Sequence, residues 1–561
     1  MTKFIRRYTP VIFFYIFSVS LYADTLNQSS VATAHDIATR TGLEILKKGG
    51  NAFDAAAAIT ASLAVVEPYG SGLGGGGFWL LHRSSDGQQV FIDGRETAPM
   101  RSQKNMYLDN NDEIIQGLSL NGPMAAGIPG IVAGIDHLVK HYGRLSLHDV
   151  LKPAIQQAKN GFSVTSRYKK LLKYRENVIR KNNNSSAIFL KKNKIPQVGD
   201  IIIQSDLANT LSMIAKGGSE VFYSGNFAQH MVNSVQDSGG IWETYDLENY
   251  KIIERKPIVI NYKGIKITSA PLPSSGGIVL GQALNILEKF DLNKYDAITR
   301  KHIVIESMKR AYRDRAVFLG DSDFINVPTN RLLDQNYAEG LALTIDIDSA
   351  TPSIELGSME PTSNKGTNTT HFSVLDSNGN RVSATLSINL PFGSGFVVEG
   401  TGILLNNEMD DFTIKPHTPN TYGLIGHQAN LIKPGKRPLS SMTPTFIESR
   451  DRIGILGTPG GSRIISMVLL AILDFEKGEL PESWVRVSRY HHQYMPDLVQ
   501  YEKNGLSRQE KIKLISKGHK LKEINRNYGN MQAIMFWKGR NTHFVASDPR
   551  GEGTAKTISI Y

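Results

Sequence analysis

The sequence predicts an α+β fold of layered helices and sheets. Three observations lead there. Two helix-like segments fill residues 31–67, a helical period returns over 301–319, and strand-like runs bounded by Gly, Asn or Pro dominate from Phe372 onward. Long helices and sheets in mixed order favour a layered α+β architecture. With 40% hydrophobic and 20% charged residues over 561 positions, the composition is ordinary for a globular chain. The length allows two to four domains.

Residues 1–23 read as a secretory signal. Lys3, Arg6 and Arg7 form a positive region, Val11 to Leu21 an apolar core, and Ala23 a small residue for cleavage. The rival reading is an uncleaved anchor helix, but the apolar run is short for a bilayer. No later segment is long and apolar enough to cross a membrane. Removing 1–23 lowers the net charge from +11 to +8, with 60 basic against 52 acidic residues. The linear sequence shows no dense Lys/Arg stripe with interleaved aromatics, which disfavours nucleic-acid binding. There are no cysteines, so disulfides, thiol nucleophiles and Cys-ligated zinc are excluded. An exported protein stabilised by packing alone fits a bacterial periplasmic or secreted enzyme.

In chain order, Ile37, Ile45 and Leu46 give the first helical segment an apolar face, ended by Gly49-Gly50. An Ala-rich segment runs from Asn51 to Val66 and stops before Pro68. After the glycine run Gly72, Gly74 to Gly77 come two strands, Phe78–Arg83 and Gln88–Asp93, turned at Asp86-Gly87. Arg95 sits just beyond the second. Residues 180–200, rich in Asn and Lys, read as an exposed excursion. Ile305, Met308, Tyr312, Ala316 and Leu319 share one helix face. Residues 351–368 have almost no apolar content and read as a mobile loop.

The segment 369–389 is the most informative. With Ser377-Asn378-Gly379 as a three-residue loop and Gly379 left-handed, Asp376 pairs with Asn380 and the register follows. Ser373 faces Ser383, His371 faces Thr385, and Thr369 faces Ser387. The other face pairs Val374 with Val382, Phe372 with Ala384, and Thr370 with Leu386. A one-residue slip would scramble both faces. Thr369, Ser387 and Asn389 therefore share one face, which is either a site or the solvated outside of an ordinary hairpin.

Asn368-Thr369-Thr370-His371-Phe372-Ser373, placed after a polar loop, resembles the processing site of γ-glutamyltranspeptidases, members of the N-terminal nucleophile hydrolases. The resemblance continues through Leu404 to Phe412, Lys436 to Met442, Gly457 to Arg463 and Ser547 to Arg550. Earlier it includes Gly49 to Ala52, Asp54 to Ala56, Gly72 to Phe78 and Asp93 to Glu96. It is thin over 165–250 and 325–365. The resemblance implies a four-layer αββα sandwich and a precursor that cuts itself between Asn368 and Thr369. The products would be a large subunit, 24–368, and a small catalytic subunit, 369–561, which stay together.

That family's chemistry assigns roles to these residues. A threonine hydroxyl needs a nearby base, and a freed α-amino group on Thr369 supplies one. Ser387 would hold the nucleophile by hydrogen bonding; relatives often have Thr there. Gly460 and Gly461 would form the oxyanion hole; a phosphate loop is the rival, but no Gly-Lys-Ser/Thr follows. Arg95 offers a planar fork for an α-carboxylate. Glu408 and Asp411, with Asn389 beside them, suit an ammonium, and Ser440 and Ser441 add hydrogen bonds. Some relatives carry Gln at the Glu408 position. Alone, each of these has a bland reading as a surface ion pair, a solvated turn or a helix cap. Pro416 to Gly426, with Tyr422 near its middle, resembles the flexible lid that covers the pocket in some relatives; a plain surface loop is the other reading. His491-His492 shows no metal-ligand spacing and reads as packing near the site. The expected donors are glutathione and related γ-glutamyl compounds, the expected acceptors water, amino acids or peptides, with no cofactor or metal. A related acylase, a poly-γ-glutamate depolymerase and a catalytically silent interaction protein are the alternatives.

Overall fold

The computed structural model describes residues 26–357 and 369–559. The expected signal and Asn368 lie outside the described residues. Thirteen strands make two large sheets among the described residues: β1 Gln28–Thr33, β2 Gly76–His82, β3 Gln89–Gly94, β4 Ile253–Arg255, β5 Ile258–Tyr262, β6 Ile265–Ser269, β7 Thr370–Leu375, β8 Arg381–Ser387, β9 Thr445–Glu448, β10 Arg452–Gly457, β11 Gln532–Trp537, β12 Thr542–Ser547 and β13 Thr554–Ser559. The seven-stranded sheet runs β13-β1-β7-β8-β2-β3-β4 and the six-stranded sheet β12-β11-β10-β9-β6-β5. All neighbouring pairs in both are antiparallel.

Helices cover the outer faces. On the seven-stranded sheet lie α1 Asp36–Lys47, α2 Ala52–Val66, α3 Ile131–Tyr142 and α4 Leu147–Asn160, packed with Trp79, Ile92, Phe372, Val374, Val382, Ala384 and Leu386. On the six-stranded sheet lie α5 Gly276–Glu288, α6 Ala297–Phe318 and α7 Ile464–Glu476, packed with Ile267, Phe446, Ile455 and Ile534. The layers are therefore helix, sheet, sheet, helix. Every residue of α2 is buried. A helix apolar on all sides belongs inside, and its run of alanines lets the sheet and neighbouring helices approach closely. Asn51 caps it, accepting from the Phe53 and Asp54 N–H groups, while Asp54 returns a bond to the Asn51 N–H.

The β7–β8 hairpin has the register that the sequence dictates: Val382 opposite Val374, Ser383 opposite Ser373, Ala384 opposite Phe372, Thr385 opposite His371, Leu386 opposite Thr370. Gly379 has φ +83°, where a side chain is strained. The polar face is not solvated. His371, Ser373, Ser383 and Thr385 are fully buried between the two sheets. There Ser373 Oγ donates to Gln532 O (3.1 Å) and Ser383 Oγ to Leu456 O (3.0 Å), while His371 Nδ1 lies 2.8 Å from Thr385 Oγ1. Satisfied polar groups of this kind can be buried without a large penalty.

Three expectations need correction. Residues 31–33 belong to β1, because the strand pairs with β7 and β13 on either side and tertiary pairing overrides the local pattern. The 180–200 excursion contains the helix Asn183–Phe189, capped by Asn182 and anchored by buried Ser185 and Phe189. After β8, strands do not dominate everywhere: residues 388–444 form no strand of either large sheet, and helices occupy Ile464–Glu476, Pro481–Arg486 and Arg508–Ser516.

Candidate active site

Thr369 immediately precedes β7 and is buried. The start of β7, the end of β8, the start of β2 and the end of β3 meet at one end of the sandwich, as their antiparallel registers require, and the end of β10 in the other sheet faces them, with Gly457 against the His371 ring. Around this end a single cleft is lined by Thr369, Ser387, Asn389, Arg95, Glu408, Asp411, Tyr422, Ser440, Ser441 and Gly461. All these sequence-predicted residues come together; Gly460 sits one step behind Gly461, at the turn following β10.

The charges in the cleft are buried and unbalanced. Arg95 Nη1 lies 2.7 Å from Glu408 Oε2 and 3.4 Å from Glu96 Oε2, and Nη2 lies 2.5 Å from Asp411 Oδ2. Its Nε–H donates to Pro438 O at 3.2 Å. Burial opposes the guanidinium charge, but three carboxylates more than reverse this and hold Arg95 protonated. Glu408 pays the opposite way: burial first, then Glu96 and Asp411, push its carboxyl well above the usual range. Neither Glu408 oxygen has a properly directed hydrogen bond among the described residues, despite the short approach of Arg95. The surface ion pair and solvated turn are thus excluded, since Arg95, Glu96 and Glu408 are at most 1% exposed.

Left-handed backbone meets the cleft at two positions, one of them a glycine that adopts it freely. Asn389 has φ +69° and Gly461 φ +58°. A Cβ on Gly461 would lie 2.4 Å from the Tyr422 ring, so only glycine lets the segment 416–426 pack against this turn. That segment is a small hairpin, with Pro419 bridged to Ile425. The Tyr422 hydroxyl donates to Asn389 O at 3.0 Å and also contacts Asn389 Oδ1. Thr421 N–H donates to Asp410 Oδ2 (3.0 Å), and Gln493 Nε2 to Gly423 O (2.8 Å). The Asn389 amide donates to Asn407 O at 2.8 Å, and Ser387 Oγ accepts from Asn389 N–H at 2.8 Å.

With this geometry in place, relatives can be compared. The family model for gamma-glutamyltranspeptidase matches residues 38–558. The glutathione hydrolase proenzyme of Escherichia coli is 41% identical over 528 residues, covering 93% of this chain and 90% of its own. The chain belongs to the gamma-glutamyltranspeptidase family. Among solved structures, Helicobacter pylori gamma-glutamyltranspeptidase aligns with a TM-score of 0.56 at 40% identity, over 59% of this chain and 97% of that one. A cephalosporin acylase from Bacillus halodurans aligns with a TM-score of 0.81 at 27% identity, over 94% and 95%. This gamma-glutamyltranspeptidase family member therefore has the N-terminal nucleophile hydrolase fold, and it is an enzyme.

Two parts of the family member's site escaped the sequence reading. Arg315, from α6, lines the cleft. It donates through Nε to Ser275 Oγ (3.0 Å) and through Nη2 to Ser441 Oγ (3.2 Å). Its place on a long helix far upstream gave no motif; only its break in the apolar face of 301–319 could have signalled it. Glu67, at the end of α2, accepts from Thr370 Oγ1 at 2.7 Å and from Tyr69 OH at 3.1 Å, fixing the residue next to Thr369. His491 is packing, as expected: its ring nitrogens meet Ser466 Oγ (2.5 Å) and Gln493 Oε1 (2.9 Å), and its ring lies against Tyr312. His492 Nε2 lies 3.1 Å from Asp497. A buried His302–Glu306–His519 cluster lies within α6 and beyond it, but Lys309 and Arg310 already pair with Glu306. Two cations there make it an ion-pair network rather than a metal cradle.

Proposed function

We propose that this chain is an exported precursor that cuts itself before Thr369 and then hydrolyses or transfers γ-glutamyl groups from glutathione and related amides. The segments 24–368 and 369–561 would be its large and small subunits. The Thr369 hydroxyl attacks the Asn368 carbonyl, the amide nitrogen leaves as the new α-amine, and water hydrolyses the ester. In turnover that amine accepts the hydroxyl proton as Oγ1 attacks the γ-carbonyl. Gly460 and Gly461 N–H groups carry the oxyanion. The leaving amine takes the proton, and water or an amino-acid or peptide amine then releases the γ-glutamyl group from Thr369. Export into the periplasm or medium rests on the N-terminal signal pattern. Among the described residues no helix is long and apolar enough to cross a membrane.

One observation supports the γ-glutamyl choice above all: Arg95 is held by Glu408 and Asp411 with both Glu408 oxygens left without a directed donor. A zwitterionic α-carbon answers this arrangement. Its ammonium takes over the Glu408 and Asp411 carboxylates and its carboxylate takes over Arg95, so each buried charge keeps a partner of opposite sign. A glutaryl chain takes Arg95 with its carboxylate but brings no ammonium to Glu408, which is costly for a buried charge, and an apolar acyl chain brings no charge to match either partner.

The test has two arms. Purified enzyme is expected to run as two fragments with Thr369 at a new N-terminus, and Thr369→Ala as one chain. A chromogenic γ-glutamyl anilide should be cleaved far faster than the glutaryl anilide. An intact backbone through 368/369 in active enzyme, or equal rates on both anilides, would overturn the proposal.

A further inference from the structure

The net positive charge of this protein is concentrated in one short stretch. Residues 166–195 hold ten Lys/Arg and one acid, whereas the rest of 24–561 holds 50 basic against 51 acidic residues. Buried positions such as Leu172 and Ile179 interrupt the stretch in the linear sequence, and folding gathers the cations. Arg167 and Arg175 turn inward, Arg175 donating to Gly393 O at 2.7 Å. The remainder face out. On the helix Ser166–Ile179, the exposed Lys170, Lys173, Tyr174 and Asn177 share one face, and Lys181 continues it.

The neighbouring turn extends this surface. Lys191 bridges to Lys194, and Lys192 and Asn193 both have positive φ, which presents Lys192 at the tip. Arg180 ties the turn to the helix, donating to Asn193 Oδ1 at 2.6 Å. Lys170, Lys173, Lys181, Lys192 and Lys194 have no carboxylate in ion-pair range among the described residues.

Beside the cations lie apolar side chains that packing does not use. Lys169 Nζ donates to Gln197 Oε1 at 2.6 Å, which brings Val198, Ile201 and Ile203 to the edge of the basic face. They are 58%, 51% and 52% exposed, while Ile202 between them is buried. A surface strand that buries every second residue normally shows polar groups on its other side. Exposed β-branched residues next to unpaired lysines, with a half-exposed tyrosine, form the combination suited to the interface of an anionic bilayer. Tyr174 is the one large exposed aromatic there, so a run of bases has no stacking series.

We infer that this face, built from Ser166–Ile179, the Lys191–Lys194 turn and Ile201/Ile203, docks the protein peripherally on an anionic phospholipid surface. The test is cosedimentation of the full processed protein with vesicles of phosphatidylglycerol and phosphatidylcholine, against phosphatidylcholine alone. Partition onto the anionic vesicles should be about tenfold or more stronger at low salt and fall steeply as salt rises. The variant K170Q/K173Q/K181Q/K192Q/K194Q should lose this preference, and I201S/I203S should lose the salt-resistant part of the binding. Both should keep wild-type melting behaviour and the same turnover in solution. Equal partition onto both vesicles, no change in the five-lysine variant, or tighter binding to a single-stranded oligonucleotide than to the anionic vesicles would overturn it. The vesicle measurement stands apart from the γ-glutamyl proposal, which the anilide assay alone decides.

Discussion

Arg315 Nη2 donates to Ser441 Oγ across 3.2 Å, and among the described residues no carboxylate lies in ion-pair range of this guanidinium. Burial draws its pKa down to about 10, so it is charged at neutral pH. As acceptor of this bond Ser441 keeps its own hydroxyl hydrogen for another partner, and in the cleft it lines a substrate carboxylate would accept it. Arg315→Gln should raise KM for a γ-glutamyl anilide by about 10–100-fold with kcat changed much less, since a charge-assisted bond contributes roughly 1.5–3 kcal/mol. Arg315→Lys should recover part of the loss. Equal damage to the γ-glutamyl and the glutaryl anilide would point to a structural role instead.

Glu408 is pushed up by burial and by its carboxylate neighbours, so it takes a proton at a higher pH than an ordinary glutamate. Ammonium binding should weaken as pH falls toward that raised value. In Glu408→Gln the residue carries no charge at any pH. The variant should show a higher KM at neutral pH, and the acid limb of its kcat/KM profile should shift or vanish. A pH–rate profile identical in shape to wild type would contradict the assignment.

The lid should respond to a single hydroxyl. Tyr422→Phe removes the bond to Asn389 O and leaves Asn389 without that donor. A neutral bond contributes about 0.5–1.5 kcal/mol, so lid opening should become roughly two- to tenfold more frequent. Limited proteolysis within 416–426 should accelerate by that factor, and bound substrate analogue should slow it less than in wild type.

Acid stability should depend on His371. Full burial lowers its pKa from 6.5 to about 3, so the folded protein holds the ring neutral. Above pH 6.5 both folded and unfolded states are neutral and its contribution is complete. As pH falls from 6.5 toward 3, the unfolded chain gains a proton that the folded one refuses, and stability is lost. At pH 5 the loss is on the order of 2 kcal/mol. His371→Gln should be less stable than wild type at pH 7.5 but should lose less Tm between pH 7.5 and 5.

The hairpin was legible because each residue has only two faces to choose from and a left-handed Gly379 sets the start of the count. Arg95, Glu408, Asp411 and the serines were legible through ordered motifs that lie close to strand ends. What the sequence concealed was long-range. β1 looked like the beginning of α1, because its strand partners lie more than 300 residues away. The polar face of the hairpin left a site and a solvated surface both open, since nothing local announces a second sheet with carbonyls to receive Ser373 and Ser383. Arg315 read as one polar position on an amphipathic helix until α6 was placed against Ser275 and Ser441.

Both large sheets join strands from before and after Thr369. In the seven-stranded sheet β7 and β8 sit between β1 and β2, and β1 sits between β13 and β7; in the six-stranded sheet β9, from after Thr369, pairs with β6, from before it. A break ahead of Thr369 would therefore remove one covalent link and leave every one of these ladders intact. Parting the two pieces would mean tearing the middle out of the seven-stranded sheet and splitting the six-stranded one along its β9–β6 ladder, so their dissociation and their denaturation are one event. A mature enzyme of this construction should not exchange pieces with its neighbours, and mixing separately made halves should not reproduce it without prior joint folding.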